Sequence, residues 1–303
     1  MYLASGTIAM YLKLLRLVSA ITLSLLSLCV LGNPKTIANA NPVLDLRFGV
    51  YRTDKATVMY KEFMPILNYL ETDLAKRLNR EVSIELTIFK TYMDGIDALV
   101  DNKVDFVRFG PSSYVLAKNR NSEIKLLVME HRNGEKQFNG VIVVRQDSPY
   151  RKLSDLTGTR FAFGDEHSTI GRYLAQEQLV SAGMTGKDLK AFDYLGRHDK
   201  VFMAVEMGEF DAGSIKESSF RRYNKNESLR VLHSFINITK PWIANSNLSA
   251  ELVREIRVAL QGLTDKAVLN ELKISGFLPG TDSDYDFVRR AMRASERFDR
   301  HRE

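Results

Sequence analysis

The residues best suited to chemistry lie in the stretch 161–174, FAFGDEHSTIGRYL. A short apolar run ends at Gly164, a polar loop follows, and an amphipathic run starts at Ser168 and Thr169. Two hydroxyls therefore meet backbone N–H groups where a helix begins. The first N–H groups of a helix have no partner inside it, and its dipole is positive there, so such a start suits an oxyanion. A Ser or Thr ahead of a helix is also an ordinary cap that needs no ligand. On local pattern alone the plain cap is the commoner explanation.

Three further segments carry donors at the carboxyl ends of expected strands. They are 90–92 with Tyr92, 110–114 with Ser112, Ser113 and Tyr114, and 196–199 with His198. Pro111 suits the first position of a helix. Each has an ordinary alternative: Tyr92 as a core or rim aromatic, Ser112 and Ser113 as caps, His198 as a helix-start residue. Taken together, four strand ends offer hydroxyl, imidazole and backbone donors, which match a tetrahedral oxyanion.

Other chemistry is poorly served. His131, His167, His233 and His301 are scattered without metal-ligand spacing, so no metal site is expected. No P-loop, dinucleotide fingerprint or G-x-S-x-G elbow occurs, so no cofactor is expected. Asp165, Glu166 and Glu217 are available as paired carboxylates for hydrolysis, but their spacing does not demand it. Arg172 lies near the first seat, where a solvated position is as good a reading as a ligand contact.

The elements that must position these residues alternate. Apolar patterns predict strands over 46–50, 82–88, 104–109 and 124–129, with helices over 58–78, 93–100 and 112–118 between them. Pro65 marks a kink or a late start in the first helix. After a polar stretch at 131–136, strands are expected over 140–144, 160–163, 191–194, 210–213 and 229–235, with helices over 168–182, 198–207 and 215–223. Helices over 250–263, 265–273 and 285–298 close the chain. This pattern predicts an α/β fold of two lobes, each a mostly parallel sheet flanked by helices. Lobe 1 is expected over 41–139 and 236–303, with the helical tail on the first half, and lobe 2 over 140–235. The chain would cross near 138–141 and 234–238. Ligands in such sheets sit outside the carboxyl ends of strands, which here face the cleft between lobes.

The 303 residues are 45% hydrophobic and 26% charged, a globular composition. The first forty differ. Lys13 and Arg16 precede the apolar run 17–31, and an A-x-A site stands at 38–40. That is the layout of a secretory signal peptide over 1–40, with Met1 or Met10 as its start. The apolar run is shorter than the ~20 residues of a spanning helix. The single cysteine, Cys29, lies within it, and Leu28 stands where a lipoprotein site would want a small residue, so cleavage is preferred over a lipid anchor. Residues 1–40 hold Lys13, Arg16 and Lys35 and no acid, so the net charge of +6 falls to +3 without them. No dense basic run interleaved with aromatics appears, and nucleic acid is not expected as a partner.

With these residues in place, the chain resembles the phosphate/phosphite/phosphonate-type periplasmic substrate-binding proteins of ABC importers. The resemblance runs from about 46 to 287. Its marks are 67–70 (LNYL), 104–114 (VDFVRFGPSSY), 147–149 (DSP), 153–163 (LSDLTGTRFAF), Ser168 and Thr169 with Gly171, His198 with Ala204 and Val205, and 210–213 (FDAG). The family implies a type II periplasmic binding fold. It also implies a phosphorus oxyanion held by a Ser-Thr-Ser run at a helix start, a tyrosine after the second strand and a histidine at a second-lobe helix start. By position these are Ser168, Thr169, Tyr92 and His198, and the 110–114 loop matches a segment facing the ligand. The chain departs from the pattern in several places. Ile170 replaces the third hydroxyl. Phe138 stands where a cleft-lining tyrosine is usual. Of two acids that hold a ligand amine, one falls beside Glu217, off by one, and the other falls in 240–242, which has no acid. An aminoalkylphosphonate is therefore not expected. Trp242 either lines the cleft or packs the crossover.

The resulting expectation is a monomeric, non-catalytic periplasmic protein. It would capture a small oxyanion, phosphonate-, phosphate- or phosphite-like, and present it to an ABC permease in the inner membrane. The alternatives are a sensor reporting to a membrane kinase and a periplasmic hydrolase using Asp165 or Glu166 with His198.

Overall fold

In the computed structural model, strand β1 (Leu44–Tyr51) buries Leu46, Phe48 and Val50. Helix α1 (Ala56–Leu78) lays Phe63, Ile66, Leu67, Leu70 and Leu74 against the same core, at the spacing of one helix face. It begins well ahead of Pro65. Strand β2 (Val82–Phe89) returns parallel to β1, Leu44 opposite Val82 and Tyr51 opposite Phe89. Then come α2 (Tyr92–Val100), β3 (Phe106–Arg108), α3 (Pro111–Arg120) and β4 (Lys125–His131). The structure describes residues 42–299, so the expected signal peptide and Cys29 lie outside the described residues.

The chain next builds β5 (Gln137–Arg145), β6 (Arg160–Phe163), a π-helical turn (Thr169–Leu174), α4 (Ala175–Ser181) and β7 (Ala191–Tyr194). These lead into α5 (His198–Glu206), β8 (Ala212–Lys216), α6 (Glu217–Tyr223) and β9 (Leu229–Ile238). It returns through β10 (Pro241–Ala244), α7 (Ala250–Gly262), α8 (Lys266–Leu272), β11 (Gly276–Leu278) and α9 (Asp286–Asp299). The first sheet has the order β11-β4-β10-β3-β1-β2 and the second β7-β6-β8-β5-β9. Both sheets are mixed. β10 lies antiparallel between β3 and β4, β11 is antiparallel to β4, and β5 is antiparallel to β8 and β9. The result is the expected two-lobed α/β architecture, except that neither sheet is mostly parallel. The antiparallel pairings come from β10, β11, β5 and β9, and β5 and β10 each follow the preceding strand without a crossover helix.

Four further details differ from the sequence expectation. β10 and β11 lie where no strand was expected, because three or four residues carry too little alternation to register as strands. β8 runs on to Lys216, so α6 starts at Glu217 rather than at 215. The helix expected over 168–182 opens with a π-helical turn. The last helix does not sit on the first half alone. Val288 joins the Tyr114–Tyr285 cluster, while Ala291 and Phe298 join the core of the second sheet, with Phe298 edge-on to Phe163 at 5.5 Å. Its apolar stripe spans two cores, so burying it draws the helix across both. Trp242 is fully buried and stacks on Phe48 at 5.0 Å, so it packs the core rather than the cleft. No helix among the described residues is long and apolar enough to cross a membrane.

Candidate ligand-binding site

A cleft of about 500 Å³ collects residues from both sheets. One end is made of hydroxyls and backbone donors. The Ser168 Oγ accepts the Gly171 N–H at 2.9 Å, which leaves its own proton to donate. The N–H groups of Thr169 and Ile170 take no acceptor among the described residues. Both point out of the start of a π-helical turn, a geometry found often at functional sites. A glycine pair fixes this turn. Gly164 donates its N–H to the Gly171 carbonyl at 2.8 Å, and a Cβ on Gly171 would lie 2.7 Å from the Gly164 Cα.

Tyr51, at the end of β1, stacks on Tyr92 with ring centroids 3.8 Å apart. Its hydroxyl accepts the Gly110 N–H at 2.6 Å and the Ser113 hydroxyl at 3.1 Å. With both lone pairs in use, its proton is left to donate. Burial pushes Tyr51 up to about 12 and Tyr92 well above its ordinary value. Both therefore stay protonated donors at neutral pH.

The other end is cationic. Arg108 ends β3, Arg132 follows β4, Lys216 ends β8 and Lys240 lies in the passage from β9 to β10, all four lining the cleft. Arg108 is balanced by a fork to Glu130, at 2.6 and 3.1 Å, with Glu62 at 3.7 Å. Arg132, Lys216 and Lys240 have no carboxylate in ion-pair range among the described residues. Burial, and then the neighbouring cations, pull Lys216 well below its ordinary value and Lys240 down to about 8. Burial, followed by Lys216 and Lys240, likewise pulls His198 to about 4, so its ring is neutral at pH 7. The His198 Nδ1 and the Asn237 Oδ1 are buried without a hydrogen-bond partner, and both residues line the cleft.

The model of the family described as ABC transporter, phosphonate, periplasmic substrate-binding protein matches residues 48–285. The chain belongs to this family. The probable ABC transporter phosphite binding protein PhnD1 of Prochlorococcus marinus is 27% identical over 244 residues, 76% of each chain. The structure of PhnD1 from that organism in complex with methylphosphonate superimposes with a TM-score of 0.71 at 23% identity, covering 84% of this chain and 98% of that one. XAC2383 from Xanthomonas citri, bound to chloride ion, gives a TM-score of 0.73 at 19% identity over 85% of this chain and 99% of the other.

In this phosphonate-family protein, Tyr92, Phe138, Ser168, Thr169 and His198 all line the cleft. Others are placed differently. Ser112 is spent on a cross-link between elements of the two lobes. Its Oγ donates to the His167 carbonyl at 2.6 Å and touches Thr169 Oγ1 at 2.8 Å, while its N–H donates to Thr169 Oγ1 at 2.9 Å. The Thr169 hydroxyl is thereby engaged with Ser112. Ser113 stands behind Tyr51 and orients its hydroxyl. Tyr114 is fully buried under Tyr285 and donates to Asp282 at 2.7 Å, because its helix face turns into the core. Glu217 pairs one turn on with Arg221 at 2.6 Å and does not line the cleft, although its neighbours Lys216 and Ser218 do. Arg172 is drawn away by Asp299 at 2.6 Å. Ile170 turns its side chain into the second core beside Phe235 and keeps its backbone at the seat.

Sequence reasoning missed Tyr51 and the four cations. Tyr51 stands at the carboxyl end of the first strand, the rule that found the other segments. Lys240 was noticed only as the absence of an acid.

Proposed function

We propose that this protein is a periplasmic solute-binding protein that captures a phosphonate-, phosphate- or phosphite-like oxyanion for an inner-membrane ABC permease. The observation that carries this reading is the seat itself. The Ser168 hydroxyl, the free Thr169 and Ile170 N–H groups and the protonated Tyr51 and Tyr92 meet at one end of one cleft. Such donors each contribute about 1.5–3 kcal/mol to an ionised acceptor. The relatives named for phosphite binding and the PhnD1 structure with methylphosphonate support the same ligand class.

The mechanism is capture and closure. The oxyanion docks on the π-helical turn, and the tyrosines of the first lobe close over it. At the mouth, Arg222 of α6 reaches Asp54 at 2.9 Å, an ion pair that joins the two lobes over the cleft. His198 is neutral and unpartnered, a ready donor to an anion. We further propose a secretory leader over 1–40, a monomer and binding without turnover, in keeping with relatives named as binding proteins.

Calorimetry with methylphosphonate, phosphite, phosphate and sulfate tests this. Heat with at least one phosphorus oxyanion is expected, and no heat with any of the four rejects the proposal.

A further inference from the structure

The hydroxyl seat and the cations stand at different strand ends. In the first sheet Tyr51 ends β1 and Tyr92 follows β2, whereas Arg108, Lys240 and Arg132 track the run β3-β10-β4. In the second sheet the seat follows β6, Lys216 ends the neighbouring β8, and Lys240 lies past β9. Neighbouring strands are ~4.8 Å apart, so the cations extend away from the seat along the cleft rather than ringing it.

Their charge is not matched inside the protein. Glu130 and Glu62 answer Arg108 and leave Arg132, Lys216 and Lys240 without an acid in ion-pair range among the described residues. Lys216 is also walled by the Phe138 ring at 4.9 Å. Crowding enclosed cations without anions is unfavourable. An arriving anion reverses that cost. The Asn237 Oδ1 in the same cleft is buried without a donor, so a protonated oxygen of a ligand would satisfy it. The cleft of about 500 Å³ also exceeds what a bare oxyanion fills, since a water occupies ~30 Å³. A ligand amine finds no free acid among the described lining residues: Asp54 is paired with Arg222, Glu62 with Arg108 and Asp199 with Arg197, Glu217 is turned to Arg221, and Lys240 occupies the passage itself.

We propose that the cleft takes a ligand with two anionic groups: a phosphorus oxyanion at Ser168, Tyr51 and Tyr92, and a second anion, carboxylate or phospho, at Arg132, Lys216 and Lys240. This rests on the oxyanion reading of the seat. A short phosphonocarboxylate or diphosphonate has this form.

Calorimetry on the mature protein compares methylphosphonate, 2-aminoethylphosphonate, phosphonoacetate, 3-phosphonopropionate and methylenediphosphonate. One of the last three is expected to bind at least about tenfold tighter than methylphosphonate, with the amine weaker than both. The double variant Lys216→Met/Lys240→Met is expected to cost the two-anion ligand at least about tenfold more affinity than it costs methylphosphonate. Whether a carboxylate or the diphosphonate gains most identifies the second group. Equal affinities, a preference for the amine, or a double variant that weakens methylphosphonate as much as the two-anion ligands overturns the proposal while the seat stands. No binding by any of them removes the seat and this proposal together.

Discussion

Gly164 and Gly171 meet backbone to backbone. The Gly164 N–H donates to the Gly171 carbonyl at 2.8 Å, and a Cβ on either glycine would come within 2.9 Å of the other's Cα. This contact locks the loop after β6 onto the π-helical turn that presents Ser168 and the free N–H groups. Gly171→Ala should separate them, at a cost of about 1–3 kcal/mol for overpacking against backbone. Urea unfolding should show the lower midpoint, and calorimetry the loss of oxyanion binding. Unchanged binding would mean that the seat does not depend on the glycine pair.

Ser168 has two tasks that one substitution separates by magnitude. It caps the turn by accepting from Gly171, worth about 1 kcal/mol. Its proton is a donor to the ligand, worth about 1.5–3 kcal/mol. Ser168→Ala should therefore lower stability slightly and affinity roughly 10- to 100-fold. Equal losses in both measurements would leave only the cap.

Tyr114 separates the sequence expectation from the structure. Its ring is buried and its hydroxyl donates outward to the exposed Asp282, whose carboxylate Arg289 also holds. Tyr114→Phe should cost about 1 kcal/mol in denaturant unfolding and leave oxyanion affinity unchanged. A marked loss of affinity would return Tyr114 to the site.

The enclosed lysines make the empty protein sensitive to pH. Lys240 is lowered to about 8 from its ordinary 10.5, so between these values the unfolded chain binds the extra proton. That contribution to stability rises as pH climbs from about 8 to 10.5 and is lost below. His198 acts in the same sense at lower pH, its contribution fading as pH falls from 6.5 toward 4. Lys240→Met should raise the melting temperature at pH 7 and flatten the rise above pH 8. An anion in the cleft raises these pKa values, so binding near pH 8 should take up protons. Titrations in buffers of different ionisation enthalpy measure this, and proton release would contradict the assignment.

The Arg222–Asp54 pair at the mouth is partly exposed, so its stability effect should stay below about 1 kcal/mol. Arg222→Ala should act on kinetics instead, speeding ligand release in stopped-flow traces with little change in melting temperature. An unchanged release rate would remove the pair from closure.

Much of the site was legible because it follows a local rule. Strand ends with Ser168, Tyr92 and His198 announce themselves by an apolar run stopping at donors. Tyr51 obeys the same rule but falls one residue past the strand expected over 46–50, without a hydroxyl or glycine beside it to mark the end. Tyr114 and Glu217 were misplaced because one helix turn decides whether a side chain faces the cleft or away from it. For Tyr114 the decision lay with Tyr285 and Asp282, distant in sequence.

The amino-acid sequence alone determined the α/β alternation, the oxyanion-suited helix start and the family resemblance, because periodicity and capping are local properties. Tertiary structure alone decided the rest. Inserting β10 between β3 and β4 brings Lys240 beside Arg108 and Arg132, and extending β8 to Lys216 adds another cation from the second sheet. Pairing between distant segments sets which charges share a cleft. No local pattern encodes that, because the interaction depends on separation in space and on exclusion of water.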